Sequence, residues 1–229
     1  MRGMPATRPG SLVSVDAPIS LTGEEPRFVS RAGYKLDGAL GRFSVEVAGR
    51  RWLDAGSSTG GFTDRLLQGG AAAVAAVDVG YGQLSWELRN DPRVVVLERT
   101  NARNLTTDLL PWAPEGVVAD LSFISLRLVL PALVQVAQAD ADFILLVKPQ
   151  FEAGREAVGK GGVVRDPKGW LRSIEGVTAG GRALGLGLEA AAVAEPPGPA
   201  GNREFFLLLR RGAAGGSDLL GSVVDEAQP

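Results

Sequence analysis

Apolar positions change period several times along the chain, and each change predicts an element. From Ser30 the period is helical: Leu36, Leu40 and Phe43 fall on one face at i, i+4 and i+7, and Ser30 can cap. The run Arg51-Trp-Leu-Asp54 then ends in a carboxylate. A turn of small residues follows, and an amphipathic segment with Phe62, Leu66 and Leu67 comes next, which predicts strand, glycine-rich turn and helix. Short apolar runs recur at 72–79, 93–97, 116–124 and 142–148, separated by helical stretches at 83–89 and 125–137. Pro131 predicts a kink in the second of these. Asp166 and Pro167 open another helix, with Trp170, Ile174 and Val177 on its inner face. Residues 186–194 and 204–210, around the Pro/Gly turn at 196–201, predict an antiparallel hairpin that closes the sheet. The expected fold is therefore α/β and doubly wound, a mostly parallel seven-stranded sheet with an antiparallel closing hairpin.

The ends differ in texture. Residues 1–25 are rich in Pro and Gly, and the alternating pieces at 11–16 and 18–21 resemble the last hairpin of a preceding module. Residues 26–211 form the expected catalytic domain. The Gly/Ala/Ser-rich stretch 212–229 predicts a disordered tail.

The first turn carries the candidate chemistry. Its glycines, Gly56, Gly60 and Gly61, read G-x-x-x-G-G, neither the G-x-G-x-x-G of a dinucleotide site nor the lysine-bearing P-loop. No lysine follows, which disfavours a triphosphate, and the carboxylate of Asp54 entering the loop suits a cationic ligand. Asp78 ends the second strand about twenty residues beyond the turn, where doubly wound folds place an acid on a ribose hydroxyl pair. Asn101 follows the third strand and is as readily an ordinary turn residue as a contact to a base. Asp120 and Lys148 end the fourth and fifth strands, which should flank the turn. A lysine closing an apolar run, with Pro149 after it, is an unusual strand end. Glu204 enters the last strand, and Lys35 lies beside the apolar face of the first helix, where the pattern favours a solvated lysine. In the glycine-rich loop 153–165, Arg155, Lys160 and Arg165 can meet phosphates or serve in a solvated connector.

Composition narrows the chemistry. The 229 residues contain no Cys and no His, which removes thiol catalysis, Cys/His metal sites, disulfides and a Ser-His-Asp triad. Any general base is then a carboxylate or a perturbed lysine. A lysine at its ordinary ~10.4 is about a thousandfold too protonated at neutral pH, so a cationic neighbour and burial have to work against nearby carboxylates. No apolar run approaches the roughly 18 residues of a membrane span, and the start is not a signal peptide, so a cytoplasmic protein without stable membrane association is expected. The net charge of −2 argues mildly against nucleic acid. Yet residues 27–51 hold six Arg/Lys against two acids, and 151–172 hold five against three.

Seven stretches together carry a resemblance: Ser30-Arg-Ala-Gly-Tyr-Lys-Leu36, Leu53-Asp-Ala-Gly-Ser-Ser-Thr-Gly-Gly-Phe-Thr63, Val77-Asp-Val-Gly-Tyr81, Asp120-Leu-Ser-Phe-Ile-Ser125, Val147-Lys-Pro-Gln-Phe-Glu152, Lys160-Gly-Gly-Val-Val-Arg165 and Gly201-Asn-Arg-Glu-Phe-Phe206. In this order they resemble the TlyA family of haemolysin-named ribosomal RNA 2'-O-methyltransferases, related to the FtsJ/RrmJ methyltransferases. The resemblance implies a Rossmann-like methyltransferase fold that binds S-adenosylmethionine, with ribosomal RNA or a ribosomal subunit as partner and no metal. It implies a catalytic tetrad at Lys35, Asp120, Lys148 and Glu204. It also implies a cofactor site built from Asp54, Gly56, Ser57, Ser58, Thr59, Gly60, Gly61 and Phe62 at the methionine end. Asp78 and Val79 would hold the ribose, Asn101 and Ala102 the adenine, and Asp120 and Leu121 would complete the site. Arg31 joins Arg155, Lys160 and Arg165 as candidate RNA contacts. The family's amino-terminal RNA-binding domain is represented only by its last hairpin, at 3–20. A nicotinamide-dependent oxidoreductase shares the fold but not the glycine spacing. A membrane-active haemolysin or an RNA-binding protein without catalysis is the other reading, although no basic amphipathic helix supports lysis.

Overall fold

The computed structural model describes residues 14–16, 26–214 and 216–228, and leaves the side chains of Arg155 and Ser217 undescribed. The hairpin expected at 3–20 therefore lies almost wholly outside the described residues. In chain order the elements are α1 (Arg31–Arg42), β1 (Arg51–Ala55), α2 (Gly61–Gln68), β2 (Ala73–Val77), α3 (Trp86–Arg89), β3 (Val94–Leu97), β4 (Gly116–Ala119), α4 (Leu126–Val136), β5 (Asp142–Val147), α5 (Pro149–Glu152), α6 (Pro167–Arg182), β6 (Leu186–Val193), β7 (Phe205–Arg211) and α7 (Ser217–Glu226).

The strands form one sheet in the order β3-β2-β1-β4-β5-β7-β6. The first five run parallel. β7 is inserted antiparallel between β5 and β6, with Leu145 opposite Leu207 and Leu188 opposite Leu209. Strand alternation divides the core into two layers. Leu53, Val117, Phe143 and Leu145 face α4, α6 and α7. Trp52, Val118, Ile144 and Leu146 face α1 and α2. β5 is buried along all six residues, as a strand covered on both faces must be. At about 1.5–3 kcal/mol for each fully buried large side chain, these two layers are the main source of stability.

Four local expectations change. β4 stops at Ala119, so Asp120 and the five residues after it form a loop rather than more strand. The helix expected at 83–89 is only α3, a single turn. α4 runs unbroken through Pro131. The ring is exposed, and the carbonyl freed by its missing N–H belongs to exposed Arg127, where water can satisfy it. The expectation of a disordered tail after Gly212 is not met: α7 buries Leu220, Val223 and Val224 in the layer shared with α6.

Candidate functional site

The turn between β1 and α2 sits at the carboxyl edge of the sheet, beside the ends of β2 and β4. Gly56 has φ +86°, and a Cβ there would come within 2.5 Å of the Asp120 carbonyl oxygen, so only glycine fits. Gly56 N and Ser57 N both donate to Val77 O, at 2.8 and 3.1 Å. Asp78 completes the anchorage: Ser58 N donates to its Oδ2 at 2.8 Å and Gly80 N to its Oδ1 at 2.7 Å. The strand-two acid thus shapes the turn while remaining half-exposed. Gly60 and Gly61 serve packing instead. A Cβ on Gly60 would meet Leu88 at 2.3 Å, and one on Gly61 would meet the Ser30 hydroxyl at 2.2 Å. Ser30 occupies the N-cap position of α1 and its carbonyl accepts from Gly33 N at 3.1 Å, but its hydroxyl makes no capping bond.

Asp54 lies beneath this turn, fully buried. Its Oδ2 accepts from Thr63 N at 2.9 Å and from Thr63 Oγ1 at 2.7 Å, while Oδ1 has no partner. Burial pushes its carboxyl up to about 7, against the Thr63 hydrogen bonds and with help from the negative charges of Asp120 and Asp78.

Two adjoining cavities meet at Gly56, Ser58 and Asp120. One, of about 410 Å³, extends past Asp78, Val79, Asn101, Ala102 and Leu121. The other, of about 300 Å³, extends past Arg31, Lys35, Ser57, Thr59 and Phe62. Asn101 also accepts from Arg103 N at 3.0 Å, so the ordinary turn role is present alongside the cavity position. Among the described residues the non-glycine residues with positive φ are Ser58 (49°), Arg99 (54°) and Phe123 (64°), and all three follow strands at this edge. Each such conformation costs on the order of 1–3 kcal/mol, a cost that clusters at functional sites.

The four tetrad candidates come together as two ion pairs. Lys148 Nζ is 2.6 Å from Asp120 Oδ1 and donates to Ser122 Oγ at 3.0 Å. Asp120 Oδ1 gains no aligned hydrogen bond from this approach. Lys35 Nζ donates to Glu204 Oε2 at 2.6 Å, with both side chains buried. The pattern-based reading of Lys35 as a solvated lysine is therefore overturned; helical pitch turns it under the site, where Glu204 compensates its charge.

Two partners in the vicinity have no signature in the periodicity. Ser122 is the first. The second is buried Asn202, whose Oδ1 accepts from Val164 N at 3.0 Å and whose Nδ2 donates to Gly162 O at 3.0 Å. Asn202 thereby staples the basic loop to the turn that carries Glu204. In that loop Lys160 and Arg165 are exposed, and the side chain of Arg155 lies outside the described residues. Among the described residues no group of three or more His, Cys, Asp or Glu could hold a metal ion, and no helix is long and apolar enough to cross a membrane.

A parallel sheet closed by this antiparallel hairpin, with a glycine-rich turn after β1 anchored on the acid of β2, is the architecture of S-adenosylmethionine-dependent methyltransferases. One such enzyme from Mesorhizobium loti superposes with a TM-score of 0.56 over 76% of this chain and 96% of its own, at 17% identity, which is a likeness of fold alone. The chain belongs to the FtsJ-like methyltransferase family, whose model matches residues 28–211. It is 56% identical over 209 residues to the 16S/23S rRNA (cytidine-2'-O)-methyltransferase TlyA of Mycobacterium tuberculosis, covering 91% of this chain and 78% of that protein. A solved structure described as a hemolysin from Lactococcus lactis is 43% identical, with a TM-score of 0.82 over 88% of this chain and 99% of its own.

Proposed function

We propose that this chain transfers a methyl group from S-adenosylmethionine to a ribose 2'-hydroxyl of ribosomal RNA, with Lys148 as the base in a Lys35–Asp120–Lys148–Glu204 tetrad. The observation that carries this reading is the pair of lysine–carboxylate contacts at 2.6 Å, with Lys35 and Asp120 on the walls of a cavity that continues into the Gly56–Phe62 turn.

The residues fit the cofactor. Asp78 offers acceptors for a ribose diol, Ala102 and Leu121 offer apolar faces for a base, and the carboxylates of Asp78 and Asp120 on the cavity wall suit a cationic ligand. The bound cofactor supplies a methyl group on a sulfonium, already a good leaving group. In its neutral form Lys148 would take the proton of the 2'-hydroxyl, the ribose oxygen gaining the methyl group as the carbon–sulfur bond of the bound cofactor breaks. Asp120 and Ser122 orient Lys148. Lys35, fixed by Glu204, positions the hydroxyl. Such alignment of two bound reactants supplies roughly 7–11 kcal/mol of the barrier. Arg31, Arg155, Lys160 and Arg165 contact RNA phosphates, adding a salt-dependent term to affinity.

Calorimetric titration with S-adenosylmethionine and, in parallel, NAD tests the cofactor, and labelled-methyl transfer to separated ribosomal subunits tests the reaction. Binding of the former alone, weakened by Asp78→Ala, together with transfer to a ribose 2'-oxygen, is the expected result. Binding of NAD alone, or no transfer to either subunit, ends this reading.

A further inference from the structure

Glu152 closes α5, four residues after Lys148, and its carboxylate turns back to the start of α4. Oε2 accepts from Ser125 Oγ at 2.6 Å and lies 3.4 Å from Arg127 Nε, while Oε1 accepts from Leu126 N at 2.6 Å. These contacts join the loop after β4 to the segment after β5. The same two stretches are joined at their other end by Lys148, through Asp120 and Ser122. Between the two ends the rings of Phe123 and Phe151 meet at 5.1 Å. The result is a closed clasp around a loop that holds Phe123 at φ +64° and lines the larger cavity with Leu121 and Ile124.

A helix cap alone does not account for Glu152. Ser125 already caps α4, accepting from Arg127 N at 3.3 Å. The carboxylate is buried, and burial pushes its pKa up despite the hydrogen bonds it accepts, so holding it there costs free energy. What the contact secures is the fixed separation of two loops whose other ends carry Asp120 and Lys148.

We propose that Glu152 is a positioning residue for methyl transfer: by closing the clasp it holds the Asp120–Ser122 segment against Lys148 and against the cavity that runs from Asp78 to Leu121. This rests on the methyl-transfer reading above. The loop is strained at Phe123 and has no strand pairing of its own, so releasing one end frees both the wall of the cavity and the acceptors of Lys148.

Glu152→Ala and Glu152→Gln, each checked for folding by circular dichroism, are compared with the parent protein by S-adenosylmethionine titration and by the pH profile of kcat. Glu152→Ala weakens cofactor binding about tenfold, the loss of a charged hydrogen bond. It lowers kcat about 100-fold, as misplacement by about 1 Å does, and displaces the alkaline-side pH profile because Lys148 has lost its fixed partners. Glu152→Gln keeps an acceptor for Leu126 N and recovers at least about tenfold in kcat. If Glu152→Ala does not fold, Glu152→Gln alone decides, with a drop of about tenfold expected. Lowered melting temperatures with cofactor affinity, kcat and pH profile all within twofold of the parent would overturn the proposal. If the parent itself transfers no methyl group, the functional reading fails, and cofactor affinity still decides the clasp: weakened in the variants it stands, unchanged it falls.

Discussion

At the amino edge of the sheet Asp142 gives one carboxylate oxygen to Arg50, at 2.6 Å, and the other to Arg210; at the carboxyl edge Lys35 and Lys148 meet one carboxylate each. The amino-edge guanidinium groups are further tied to backbone: Arg50 donates to Glu46 O at 2.9 Å and to Glu115 O, and Arg210 donates to Ser44 O at 3.1 Å. Little bonding capacity is left over there. At the carboxyl edge Asp54 Oδ1 and Asp120 Oδ1 lack hydrogen-bond partners, and three non-glycine residues hold positive φ. Both clusters pair basic with acidic side chains at the rim of the same sheet. The difference is that the amino-edge cluster is saturated by its own side chains and backbone, whereas the carboxyl-edge groups border the cavities and retain unmatched acceptors, the pattern expected of a candidate functional cluster.

The largest expected effect tests that contrast at its centre. Lys148→Ala lowers methyl transfer at least about 100-fold and as much as 10⁴-fold, with cofactor affinity by calorimetry changed only a few-fold; near-normal turnover would remove Lys148 from the base role.

Next, the two edges respond with opposite sign to loss of a carboxylate. Asp54 is raised from 3.8 to about 7 on folding, so the folded chain keeps a proton that the unfolded chain releases. Its contribution to stability is therefore largest below pH 4 and declines as pH rises to about 7, by up to about 4 kcal/mol. Asp54→Asn removes this slope, and thermal unfolding at pH 8 shows the variant more stable than the parent. Asp142→Ala instead strands two cations and destabilises by about 2–3 kcal/mol, less than the ~3–5 of a fully buried pair because both guanidinium groups touch water. Urea unfolding measures that loss, and kcat per folded molecule stays within about twofold of the parent because the cluster is remote from the site.

The smallest effect lies on the surface. Arg42 and Glu226 make a two-point contact between α1 and α7, with both side chains about half exposed. Glu226→Ala changes stability by no more than about 0.5 kcal/mol in urea unfolding.

The sheet was legible in the sequence because its strands are short apolar runs bounded by turn residues, and the acids and lysine at their carboxyl ends stand out against those runs. Helices with a wide apolar face, such as α1 and α6, were legible for the same reason. α7 was not: Leu220, Val223 and Val224 carry a helical period, but they are embedded in a Gly/Ala/Ser-rich context that reads as solvated chain. The sequence singled out Lys35, Asp120, Lys148 and Glu204, and the fold brings them together as two ion pairs. Burial of Lys35 was not legible, since its place beside the apolar face fits a surface position until a counter-charge 169 residues away is brought to it. Glu152, Ser122 and Asn202 act through side-chain contacts between loops, and such contacts leave no periodic trace. Their one signal is membership of the stretches 120–125, 147–152 and 201–206, which also carry Asp120, Lys148 and Glu204.

The insertion of β7 between β5 and β6 sets an order of events during synthesis. Glu204 immediately precedes that strand, and Lys35 belongs to the first helix. At about 5–20 residues per second, the 169 residues between them take about 8 to 34 s to be added. Through that interval a nascent chain carries the glycine-rich turn, Asp78 and Asp120 with an uncompensated Lys35. The charge arrangement around Lys35 is therefore completed only when the closing hairpin has left the exit tunnel and slotted into the sheet.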